Sequence, residues 1–133
     1  MRWIGWLALA GAALSAAPAF AHHSQGAVYD QSRLLAVQGT LSRIDVQNPH
    51  SMLELTILTG DGQSIVWLIE GKGVEAMNRV GFSPATVRIG DKVTVTGSPA
   101  WALDHRLWLF SVQTSRGRTF NFGGGDPVVL GSR

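Results

Sequence analysis

The sequence predicts an all-β domain, mainly antiparallel, folded as a small barrel with one short helix inserted between its third and fourth strands. Apolar residues alternate with polar ones over several runs, as half-buried strands require. Turn signals separate those runs, and a single helical pattern interrupts them midway. Three strands, a helix, then two or three strands is the order of an oligonucleotide/oligosaccharide-binding (OB) barrel. A sandwich is the rival architecture, but the strands are few for an immunoglobulin-like one.

Each element has its own signal. "LLAVQGTLSRIDVQN" (Leu34 to Asn48) alternates through Val37, Gly39 and Leu41, then again through Ile44 and Val46. The phase changes between Leu41 and Ile44, which predicts a bulge or bend. Asn48-Pro49 is a turn signal. "MLELTIL" (Met52 to Leu58) sets Leu53, Leu55 and Ile57 on one face. "TGDGQ" is a hairpin turn carrying Asp61-Gly62, and "SIVWLIE" (Ser64 to Glu70) is rich in branched and aromatic strand formers. Gly71 and Gly73 break the pattern. "VEAMNRVG" (Val74 to Gly81) reads as a short helix with Gly81 at its C-terminal cap. Ser83 before Pro84 predicts one further helical turn. Strands follow through Val93 and Val95, from Arg106 to Thr114, and over "GRTFNF".

The amino-terminal segment reads differently. Arg2 precedes the apolar run "WIGWLALAGAALSAAPAF", and Ala19-Phe20-Ala21 fits the small-x-small pattern of a signal peptidase site. The expectation is a secretory signal over 1–21, an OB-like domain over 22–122 and a flexible tail over 123–133. Cleavage after Ala21 leaves no membrane span and places the protein in the periplasm or outside the cell. The mature chain then starts with His22 carrying a free α-amine. With no cysteine in the chain, no disulfide framework exists and the domain relies on its core, which suits a bacterial periplasm. Net charge is +2 overall, and about +1 once Arg2 is removed. No basic patch stands out, so nucleic acid is not an expected partner.

Motifs along the chain add a family resemblance. "AHHS" around the cut site, "YD" (Tyr29-Asp30), "GTL", "NPHS" (Asn48 to Ser51), "WLIE" (Trp67 to Glu70), "RVGF" before "GDKVTV" and a closing "GRTF" occur in that order. The sequence resembles the domain-of-unknown-function 6152 family of small secreted bacterial proteins over roughly His22 to Phe120. The resemblance implies a secreted β-domain without an established activity. Where such relatives start "HHSFAAEFD", this chain has "HHSQGAVYD", with Val28 in place of the acidic residue. Trp101 and His105, in "WALDHRLW", stand where the family usually has small residues.

The candidate site is a metal site. A terminal histidine offers its amine and ring Nδ1 as a chelate, and both groups deprotonate near neutral pH. His22 would supply this chelate and His50, behind the Asn48-Pro49 turn, a third nitrogen; His23 is an alternative ligand. A nitrogen-rich planar set favours Cu(II) and resembles the histidine brace of copper monooxygenases and periplasmic copper carriers, in its chelate only. Glu70 is a candidate acceptor for a ligand imidazole or a satisfied edge residue. Tyr29 and Asp30 either give a metal an axial oxygen or anchor the amino-terminal arm. His105 reads as a solvated loop histidine, Trp67 and Trp108 as core, and Trp101 as a loop residue able to cover a groove. No nucleophile–base pair, phosphate loop or paired-carboxylate motif appears, which favours binding over catalysis.

The leading expectation is a periplasmic Cu(II)-binding carrier, buffer or sensor. Its alternative is a metal-free barrel module for a protein, glycan or small molecule; a copper-dependent oxidase is the third. A metal ion is the expected partner, with a periplasmic protein as a further candidate.

Overall fold

The structure, a computed structural model, describes residues 24–123. The expected leader and cut site, His22 and His23, and the residues after Gly123 lie outside the described residues. The elements run α1 (Gln25–Val28), β1 (Leu35–Asp45), β2 (Ser51–Leu58), β3 (Ser64–Gly71), α2 (Val74–Arg79), β4 (Lys92–Pro99), β5 (Arg106–Thr114) and β6 (Thr119–Asn121).

Antiparallel pairing joins β2 to both β1 and β3, and β4 to both β1 and β5. A short parallel pairing of β3 with β5, Leu68 opposite Arg106 through Glu70 opposite Trp108, closes the barrel. This is the OB topology, with β6 added along β5. The expected phase change in the first strand is a register shift between Leu41 and Arg43. It bends β1 so that one strand can pair with β4 along its first half and β2 along its second. β1 ends at Asp45 rather than Asn48, because its last partner is Met52 and the chain must then turn through Asn48-Pro49.

The core is built from the inward residues of every barrel strand, among them Leu41, Leu53, Leu55, Ile69, Val95 and Leu107. α2 adds Met77 to it, fully buried. Two caps place that helix. At its start the Val74 N–H donates to Asn48 Oδ1 at 3.0 Å, so a side chain from the β1–β2 turn does the work of an N-cap. At its end Gly81 takes φ +75°, and the Phe82 N–H reaches back to the Met77 carbonyl at 3.0 Å, a Schellman closure that delivers Phe82 edge-on to Phe120. The turn expected at Ser83 forms, with the Thr86 and Val87 N–H groups both donating to the Ser83 carbonyl.

α1 has no counterpart in the sequence reading, since four residues without an apolar stripe leave no periodic signal. No helix among the described residues is long and apolar enough to cross a membrane.

Candidate functional site

The arm before β1 is fixed to the barrel by its backbone and by one aromatic ring. Tyr29 bridges to Ala100, the Asp30 N–H donates to the Pro99 carbonyl at 2.8 Å, and the Trp101 N–H donates to the Val28 carbonyl at 2.9 Å. Trp101 Nε1–H adds a bond to the Gly26 carbonyl at 3.1 Å. Trp101 therefore clasps the arm while its ring stays exposed. The phenol of Tyr29 is buried against Trp108, ring centroids 5.8 Å apart.

Trp108 shows what the arm covers. Its register partner is Glu70, whose partner on the other side is Met52. Along β2 the buried residues are Ser51, Leu53 and Leu55, so Met52 and Glu54 face outward. The row Met52, Glu70, Trp108 thus crosses three strands on the outer face of the barrel. Trp108 is core-like in burial, as expected, but it is buried beneath the arm rather than inside the barrel.

Glu70 is the hub of this face. Tyr29 donates its hydroxyl proton to Glu70 Oε2. Arg106 donates from one terminal nitrogen to the same oxygen at 2.9 Å and from Nε to the Tyr29 oxygen at 2.9 Å. His50 Nδ1 lies 2.6 Å from the other oxygen, Oε1. Burial alone would raise the Glu70 pKa, but hydrogen bonds from Tyr29, Arg106 and His50 outweigh it and hold the carboxyl below its usual range. Burial, and then the bond to Glu70, push the Tyr29 phenol up to about 12. At neutral pH the hub is a carboxylate, a neutral phenol and a guanidinium.

His50 is oriented by this arrangement. With Glu70 ionised, Nδ1–H is the donor to it, and a neutral imidazole so bonded keeps its lone pair on Nε2. The imidazole also stands edge-on to Trp108, centroids 5.2 Å apart. Its side chain is 40% exposed, and nothing among the described residues hydrogen-bonds Nε2. Carboxylate, imidazole, then a free Nε2 is the arrangement that metal-binding histidines use to fix tautomer and direction. The backbone is held too. Gly73 lies so close to the turn that a Cβ there would sit 2.4 Å from Asn48 Oδ1 and 2.9 Å from the Pro49 carbonyl oxygen.

Of the residues picked out from sequence, His50, Glu70 and Tyr29 come together. Asp30 does not join them. Its carboxylate accepts from the Ser32 N–H at 3.1 Å and the Ser32 hydroxyl at 2.6 Å, a local turn within the arm. His105 is an exposed loop residue with φ +55°, its ring edge-on to the half-buried Trp67. Among the described residues no three side chains of His, Cys, Asp or Glu form a metal-binding group. Arg106 was missed. Only the parallel closure of the barrel brings this arginine, at the start of β5, beside Glu70 near the end of β3.

A family model described as "Family of unknown function (DUF6152)" matches residues 10–106. The chain belongs to the DUF6152 family. The match reaches from the apolar amino-terminal run to Arg106 and so takes in Tyr29, His50 and Glu70. No curated protein matches this DUF6152 sequence. Among solved structures, the crystal structure of the S. pombe Stn1-Ten1 complex is similar with a TM-score of 0.49 at 16% identity. The likeness covers 63% of this chain and 59% of that one.

Proposed function

We propose that this protein is an exported metal-binding protein that takes Cu(II) through the processed terminus at His22 and through Nε2 of His50. It would act as a carrier, buffer or sensor in the periplasm. One observation carries the reading: the carboxylate that orients His50 also anchors, through Tyr29, the arm that follows His22 and His23 in sequence. His23 is six residues from Tyr29, no more than about 20 Å of extended chain. The amine and ring of His22 would close one chelate, His50 would add a third nitrogen, and His23 would be the substitute ligand. Such a set suits Cu(II) above other divalent ions. Glu70 supports the site without touching the metal, and Tyr29 and Asp30 hold the arm.

A competition titration against a Cu(II) chelator at fixed pH tests this, since protons compete with the metal. One alanine inserted before His22, with cleavage verified, displaces the amine and leaves every side chain in place. That form and His50→Ala should each bind at least about tenfold more weakly, while His105→Ala matches the native protein. Equal affinity in the extended form rejects the terminal chelate, and equal affinity in His50→Ala rejects the joined site.

A further inference from the structure

We infer that the same site has a second, softer face, on which the Met52 thioether and His50 Nε2 hold Cu(I). The inference rests on the copper reading above and names the oxidation state that the nitrogen set alone leaves unserved.

The placement comes from the strand register. Met52 is directly opposite Glu70 in the β2–β3 ladder, and cross-strand partners stand about 5 Å apart at Cβ. His50 is bonded to that same carboxylate at 2.6 Å. His50 stands immediately before β2 and two residues from Met52, the spacing that puts side chains on one face where the chain is extended. Met52 is half-buried and turned outward, whereas its neighbours Ser51 and Leu53 are buried. An unbranched side chain on three rotatable bonds can swing its sulfur toward a metal on the adjoining imidazole.

The chemistry follows from ligand softness. Thioether sulfur prefers Cu(I), and amine and imidazole nitrogen suit Cu(II). A His-x-Met pair beside the proposed terminal chelate can therefore hold the ion in either state. No electron transfer by the protein is implied; Cu(I) binds as supplied. The sulfur inventory makes the assignment checkable. The chain has no cysteine and three methionines. Met1 falls in the proposed leader and Met77 is fully buried in the core. A sulfur donor detected on bound copper in the mature protein would be Met52.

The test is anaerobic competition with bicinchoninate for Cu(I) on the exported full-length mature protein, beside the Cu(II) titration, for the native form and Met52→Leu. Leucine keeps the volume and the apolar cover. Met52→Leu should lose about tenfold or more in Cu(I) affinity and keep Cu(II) affinity within about twofold. X-ray absorption at the copper edge should show a sulfur scatterer on native Cu(I) protein and none on the variant. Unchanged Cu(I) affinity in Met52→Leu, or a native Cu(I) spectrum without sulfur, overturns the inference. Methionine-dependent Cu(I) binding together with absent Cu(II) binding would instead support it and sink the Cu(II) reading.

Discussion

At Glu70 one carboxylate accepts hydrogen bonds from a phenol, a guanidinium and an imidazole, each from a different part of the chain. Because Tyr29 is the only tyrosine, its ionisation can be followed by phenolate absorbance without interference. Its raised pKa means that the folded state favours the neutral phenol. That contribution is whole below pH 10, the unfolded value, and is lost as the pH rises toward about 12. The gap corresponds to roughly 2–3 kcal/mol. A metal-free alkaline titration should place the phenolate transition well above that of the denatured protein, and Glu70→Gln should lower it. Coincident folded and unfolded transitions would contradict the buried phenol. Glu70 has the opposite sign. Its carboxyl is depressed on folding, so its contribution is present above the unfolded value near 4.5 and disappears as pH falls through the folded one. Thermal melts below about pH 4 should therefore separate the native protein from Glu70→Gln less than melts at pH 7 do. In Cu(II) binding, Glu70→Gln should cost about tenfold or more, because the amide no longer holds His50 as a carboxylate does.

Two close approaches between elements set the site, and each depends on a glycine. At the register shift between Thr96 and Gly97, a Cβ on Gly97 would stand 2.1 Å from the Trp108 carbonyl oxygen. Gly97→Ala should cost about 3 kcal/mol or more, read as a lower melting temperature or denaturant midpoint. Gly73→Ala acts on the β1–β2 turn instead. It should drive Asn48 from its bond to Val74, displace His50 and weaken Cu(II) about tenfold while the barrel still folds; native affinity in a folded Gly73→Ala protein would show that the turn does not position the ligand. The elements themselves were readable in the sequence. Alternation in Leu53, Leu55 and Ile57, the Asp61-Gly62 turn, and the phase change after Leu41 are local signals with local causes. The site was readable only in part. His50 stood out by its chemistry and its Asn-Pro turn, but Glu70 could equally have been an edge residue. What decides between those roles is Arg106, 36 positions away, and a pairing across the closed barrel leaves no mark on either local sequence. The row Met52, Glu70, Trp108 was hidden for the same reason, since it exists only once β2, β3 and β5 are in register.

For the whole molecule, the arm is what ties a barrel to its proposed terminus. A barrel of this topology invites a comparison with nucleic-acid binding, but a net charge of +2 gives little counterion-release drive. Single-stranded DNA should bind weakly at physiological salt, and a tight interaction falling steeply with salt in a filter or anisotropy assay would oppose the copper reading of this face. Whether export creates the proposed copper site is read from one mass measurement of the exported protein, made under native conditions with and without Cu(II). The expected species is a chain beginning at His22 that gains the mass of one copper ion. A chain that retains its leader, or a correctly processed chain that gains no copper, would contradict the proposal.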